Sequence, residues 1–292
     1  MGTILALAAA LLYGSADFLG GAASRRGRPV AVLAVTAPAG AVVVVLSALV
    51  GSAVGLGGHG IAGSAALGGL GWGAAGGAAG ALGLIMFYAG FATAPMSVVA
   101  PVSALVATLL PLGVAVAHGE RPGPPVIAGG LICLAAVVLV SLERGAGSDR
   151  PAADRLRGLG YGAASGALFG LFFLFFRSAG ASGVLWPVAV ARVTGTVVAL
   201  GACLLTRTRP PWSGAARGVL PMAMASGVVD AAANVCYVLA TRAGLFGIAV
   251  VLTALYPGVT VLLARIVFGE RMRWVQRVGL VLAGVGVILV TA

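Results

Sequence analysis

Seven acidic residues stand against eighteen basic ones in this chain of 292 residues, so an acid inside a long apolar run needs an explanation. Asp230 is such an acid, near the middle of the run 218–241. A carboxylate at that depth is expensive to hold, and by default it faces a bundle interior or a wet cavity on a substrate or ion pathway. Ser226, Asp230, Asn234, Tyr237 and Thr241 follow one another at spacings of four, four, three and four, which puts all five on one helical face. The stripe reads as one wall of a cavity. The other reading is that Asp230 and Asn234 bond across helices and hold a bundle together.

Asp17 is the second intramembrane acid, one turn beyond Tyr13 and on the same face. It reads as a binding or coupling group, or as the partner of Arg25 or Arg26 near a membrane surface. A carboxylate in a cavity can trade a proton for a cationic cargo, so protons are a candidate coupling ion. Arg192 lies within the run 185–206, where it either neutralises one of the two acids or holds a cargo carboxylate; the ion pair is the preferred reading. Phe169, Phe172, Phe173, Phe175 and Phe176 fall in one run and offer an aromatic wall for flat or amphipathic cargo, or rings packed against lipid and neighbouring helices.

Other chemistry finds little to stand on. His59 sits in a Gly-rich stretch and His118 at a run end, without the partners that a metal site or a triad requires. Cys133, Cys203 and Cys236 each lie in an apolar run without ligand spacing and read as small buried hydrophobes. No P-loop is present, and no cofactor or metal is expected. An integral-membrane enzyme or lipid-handling protein, the alternative from another class, would need catalytic groups clustered at one membrane face.

The elements that must position these residues follow from composition. With 60% hydrophobic residues and 9% charged and a mean hydropathy of +1.11, the chain has too little polar surface to cover a soluble globule. Runs near the roughly 20 residues that cross a bilayer lie at 3–23, 30–50, 65–91, 96–117, 125–142, 156–177, 185–206, 218–241, 245–268 and 274–291. The expectation is an all-α, multi-pass integral membrane protein of ten transmembrane helices, the first retained and not a signal peptide. The net charge of +11 is then topogenic arginine in short loops, and nucleic acid is not an expected partner.

The runs repeat. Pro29-Val30-Ala31-Val32-Leu33-Ala34-Val35-Thr36 returns as Pro187-Val188-Ala189-Val190-Ala191-Arg192-Val193-Thr194, and Gly119-Glu120-Arg121 as Gly269-Glu270-Arg271. At the offset of the second pair, Ala104-Leu105 lies on Ala254-Leu255, Gly129 on Gly279 and Leu139-Val140 on Leu289-Val290. A polar linker, 144–154, separates a first repeat, 1–143, from a second, 155–292. Five spans per half is an odd number, so the halves cross in opposite senses, as in the inverted repeats of many secondary transporters. At the same offset the stripe of the eighth span corresponds to Gly76, Gly80, Leu84, Phe87 and Phe91, so a pocket lined by the stripe is expected to be polar on one wall and apolar on the other. Gly158, Gly162, Gly166 and Gly170, with Gly69, Gly73 and Gly77, form ridges for close helix contact.

Two five-helix modules, each closing on an apolar helix, Gly-Glu-Arg and a Val/Leu/Gly-rich helix, resemble the EamA branch of the drug/metabolite transporter superfamily. The best local match is Ala254-Leu255-Tyr256-Pro257-Gly258-Val259-Thr260, which looks like the proline-bearing ninth helix of that family. The first half departs from it, with Ala107 in place of Pro257 and prolines at Pro101 and Pro111, so proline-related bends are expected at different depths. The resemblance implies a secondary transporter in the cell membrane, with a small-molecule substrate and the bilayer as partners, Tyr256 and Pro257 near the pathway, and structural roles for Glu120 and Glu270. Export of amino acids, amines or amphipathic drugs is favoured. A sugar-phosphate or nucleotide-sugar exchanger would want several cavity cations, and only Arg192 is placed for that. Cargo and oligomeric state are not written in the sequence. The arginines crowd the odd-numbered loops, and the positive-inside rule then puts both termini outside the cytoplasm.

Overall fold

A computed structural model describes residues 1–24, 28–53, 64–93, 96–121, 123–141, 152–180, 184–208, 218–243, 246–268 and 274–291. The linker at 144–151, Arg25, Arg26, His59, Trp212 and the second Gly-Glu-Arg at 269–271 lie outside the described residues. Those described are helical apart from turns: α1 (Gly2–Ser24), α2 (Pro29–Ala53), α3 (Ser64–Thr93), α4 (Met96–Ala117), α5 (Pro124–Ser141), α6 (Ala152–Gly180), α7 (Leu185–Leu205), α8 (Leu220–Ala243), α9 (Phe246–Thr253), α10 (Tyr256–Phe268) and α11 (Trp274–Thr291). Six of them, α1, α2, α3, α6, α7 and α8, are long and apolar enough to cross a membrane. The remainder of α4, α5, α9–α10 and α11 is apolar in shorter described stretches.

The ninth apolar run is two helices instead of one. Pro257 brings no N–H to the Thr253 carbonyl, so the ladder of hydrogen bonds fails there. The chain bridges the gap with tighter bonds, Leu255 N to Leu252 O at 3.2 Å and Gly258 N to Leu255 O at 2.9 Å. In the first half, α4 runs unbroken through Pro101 and Pro111.

The most extensive helix pairs have counterparts under exchange of halves. The α1·α8 contact matches α6·α3, α2·α8 matches α7·α3, and α4·α6 matches the contacts of α9 and α10 with α1. The α2·α7 and α5·α11 pairs map onto themselves. Glycine ridges set the closeness of these contacts. Gly77 of α3 lies against the Ala191 backbone of α7, and Gly227 of α8, its counterpart in sequence register, against the Thr36 backbone of α2; a Cβ at either would overlap a carbonyl oxygen. Gly162 and Gly166 of α6 meet Val99, Val102 and Ser103 of α4 in the same way.

These contacts also give direction. Gly2 lies beside Ala240 and Ala243 while Ser226 reaches Ala16, so α1 and α8 are antiparallel. Trp186 bonds Ser52 at 3.0 Å and the Cys203 thiol approaches Val30 O at 3.4 Å, so α2 and α7 are antiparallel too. Gly80 and Gly83 of α3 meet Phe172 and Phe169 of α6 running the opposite way. The bundle therefore has two ends, one at Gly2 and one at Ser24. At the Gly2 end Glu120, just beyond α4, accepts a hydrogen bond from Gly247 N at 3.0 Å in the first turn of α9, and its other oxygen pairs with Arg177 of α6 at 3.1 Å. A carboxylate on the exposed amides of a helix start is stabilised by the helix dipole as well as by the bond. The Arg177 guanidinium lies 4.4 Å from the ring centre of Phe246.

Candidate functional site

A cavity of about 150 Å³ lies among α1, α2, α3, α6, α7, α8 and α10. Its walls differ in chemistry. Asp17, Ser226, Asp230 and Arg192 supply charge and hydrogen-bonding capacity; Phe87, Phe169, Phe172, Phe173 and Phe176 supply rings. Tyr13 and Tyr256 stand between the two, Tyr13 meeting both Phe173 and Tyr256 edge-on with ring centres 6.4 and 6.2 Å apart. Gly80, Leu84 and Phe87 of α3 line the face opposite the α8 stripe, because residues four apart on each helix share a face. Glycine on α3 lets the rings of α6 close in: a Cβ at Gly80 would lie 2.9 Å from Phe172.

The polar side is a chain of bonds from α7 through α8 to α1. Arg192 forms an ion pair with the Asp230 carboxylate and donates to the Asp230 carbonyl at 3.0 Å. Asn234 Nδ2 donates to that same carbonyl at 2.8 Å, and Asn234 Oδ1 accepts the Tyr13 hydroxyl at 2.5 Å. Ser226 Oγ donates to Ala16 O at 2.8 Å, and Thr260 of α10 donates to Gly14 O at 3.1 Å. Asp17 stands apart from this chain. It lines the cavity, and no described residue offers its carboxylate a hydrogen bond or an ion pair. Two acids against one arginine leave the cavity lining one negative charge in excess when both acids are ionised.

The other residues singled out in the sequence fall nearby. Asn234 and Tyr237 are fully buried, and Tyr237 donates to Phe173 O at 3.3 Å, so the lower half of the stripe packs between helices instead of facing the cavity. Pro257 sits in the first turn of α10, with its side chain outside the described residues. Arg25 and Arg26, the alternative partners of Asp17, are outside them too. Three lining residues of α2, Leu33, Thr36 and Ala37, escape a search for charge; two of them belong to the segment that the sequence repeats. The cysteines are free, and among the described residues no group of three or more His, Cys, Asp or Glu is placed to hold a metal.

Residues 156–292 match the model of the EamA-like transporter family. The match covers most of the second half, just under half of the whole chain. The EamA-like region begins at α6 and includes Arg192, the α8 stripe and the α9–α10 break, while Tyr13, Asp17 and the α3 wall come from the half before it. A solved structure described as "Crystal structure of protein" superposes with a TM-score of 0.79 over 99% of this chain and 95% of its own, at 20% identity; it shares the fold. No curated protein matches the sequence.

Proposed function

We propose that the chain is a ten-span secondary transporter built from two inverted five-helix repeats, 1–143 and 155–292, that exports small organic cations by alternating access in exchange for protons. Support for the repeats comes from the most extensive helix pairs, which correspond when the halves are exchanged, and from the antiparallel setting of α2 and α7, which such a repeat makes equivalent. The cavity lies where those halves meet.

One observation carries the cargo reading: the Asp17 carboxylate has no described partner in a cavity whose second acid, Asp230, is already neutralised by Arg192. A lone carboxylate beside aromatic rings favours a cation, through charge and through the ring faces. An amine with a flat apolar body satisfies both walls, and a proton competes with it for Asp17. That competition makes exchange possible, since cargo and proton cannot hold the same carboxylate together. Zwitterionic amino acids fit less well, because Arg192 must leave Asp230 to meet their carboxylate. A phosphate-bearing cargo would meet excess negative charge.

Strains with the gene deleted or overexpressed, challenged with a panel of aromatic amines, amino acids and sugar phosphates, test the reading. Overexpression is expected to raise tolerance to aromatic amines and lower their retention. Protection against amino acids or sugar phosphates alone would contradict it.

A further inference from the structure

A second concavity, about 380 Å³, lies between α4, α5 and α9 on the outside of the bundle. It is apolar along its length: Leu109 and Val116 of α4 and Ile127 and Leu131 of α5 line it and are each more than half exposed. Its polar members, Glu120 and Arg121, stand together at the Gly2 end. Glu120 is already engaged on both oxygens, by Arg177 and by Gly247 N. Arg121 is exposed, and no described carboxylate pairs with it. The groove thus combines an apolar slot with one uncompensated positive charge at its mouth.

We propose that this groove binds an anionic phospholipid of the bilayer, with an acyl chain in the slot and the headgroup phosphate on Arg121. An arginine fork suits phosphate oxygens, and an exposed apolar slot on a transmembrane bundle faces acyl chains rather than water. The α4 and α5 walls of the groove come from the first half. In the second half, at the repeat offset, the positions of Val126, Ile127 and Gly130 carry Gln276, Arg277 and Leu280. Gly130 opens the slot, since a Cβ there would stand 3.7 Å from Val251, in ordinary contact. Gly130→Leu therefore fills the slot with the residue that the other repeat carries at the same register. The groove also shares Glu120 and Gly247 with the joint between α4, α6 and α9, so its occupant sits against that joint.

Native mass spectrometry of the purified full chain tests this, with phosphatidylglycerol and phosphatidylcholine of identical acyl chains as probes. The wild type is expected to retain phosphatidylglycerol about fivefold more than phosphatidylcholine, the effect of one basic side chain beside an anionic headgroup. Arg121→Ala removes that preference and Arg121→Lys keeps most of it. Gly130→Leu lowers retention of both lipids, and Arg242→Ala, at the same end on α8, changes neither. Equal retention of the two lipids by the wild type, an undiminished preference in Arg121→Ala, or a dimer cross-linked through Leu131→Cys to the exclusion of lipid would each overturn the proposal. Thermal unfolding of every variant in detergent accompanies the spectra, and the ratio of the two lipids on the wild type tests the proposal even where a variant misfolds.

Discussion

Asp230 and Asp17 are both acids within apolar helices, yet their surroundings assign them different work. Asp230 is 29% exposed and held by Arg192, itself 14% exposed. Removing the arginine leaves a half-buried carboxylate without its counter-charge. Arg192→Ala is expected to cost on the order of 2 kcal/mol, below the 3–5 kcal/mol of a fully buried pair because solvent reaches this one. Arg192→Met combined with Asp230→Leu should recover most of that loss, as measured by thermal unfolding of the four proteins of the cycle. If the double variant is as unstable as Arg192→Ala, the pair is not what holds α7 to α8. Tyr13→Phe leaves the buried Asn234 Oδ1 without its donor, and about 1–3 kcal/mol of stability should go with it; an unchanged melting temperature would show that the bond contributes nothing. The two acids and Tyr13 were legible in the sequence because charge is rare and costly at such depth. The Arg192–Asp230 pairing was not fixed there, since 38 residues separate the partners and only helix packing chooses between Asp17 and Asp230. The burial of Asn234 and Tyr237 was also hidden: a stripe has one face, but a face can border a cavity at one level and a neighbouring helix at the next.

Most helix boundaries could be placed from apolar run length, because a span must reach about 20 residues and a polar turn must follow it. The split of the ninth run into α9 and α10 is the exception. Pro257 signalled a disturbance, but its missing hydrogen bond breaks this helix outright, whereas α4 absorbs Pro101 and Pro111 and continues. Glycine was harder to read. With 47 glycines in the chain, the ones that matter are chosen by what lies across from them. Gly77 and Gly227 are such positions, each against a backbone carbonyl of the neighbouring helix. Gly227→Val is expected to push α8 off α2 and to cost stability at the upper end of the about 1–3 kcal/mol typical of overpacking. Gly21, whose Cβ would meet nothing within 4 Å, tolerates alanine with little change. Melting temperatures in detergent that fail to separate the two sites would contradict the ridge account.

For the molecule as a whole, the two ends of the bundle are chemically unequal. The Gly2 end carries Arg121, Arg177 and Arg242, and the loops joining helices at the Ser24 end carry most of the remaining arginines. Short loops rich in arginine stay in the cytoplasm, so the Gly2 end is expected outside it. A reporter active only in the cytoplasm, fused after Ala292, should then be silent; strong activity would reverse the orientation. The cavity is lined by Leu33, Thr36 and Ser226 in the Ser24-side halves of α2 and α8 and by Phe176 and Ala191 toward the Gly2 end of α6 and α7, so it sits part-way through the bundle. At the Gly2 end, Glu120, Arg177 and Gly247 tie α4, α6 and α9 together. An exporter in this orientation loads from the arginine-rich side. The most direct test of that carrier is an exchange measurement with purified protein in liposomes, using phenethylamine as the flat cation and an imposed pH gradient as the driving force. Wild-type protein should accumulate the amine against its concentration gradient in the compartment that supplies protons, and Asp17→Asn should lose the pH-driven part while remaining folded and inserted. Equal accumulation by both proteins, or no dependence on the pH gradient in the wild type, would contradict the account.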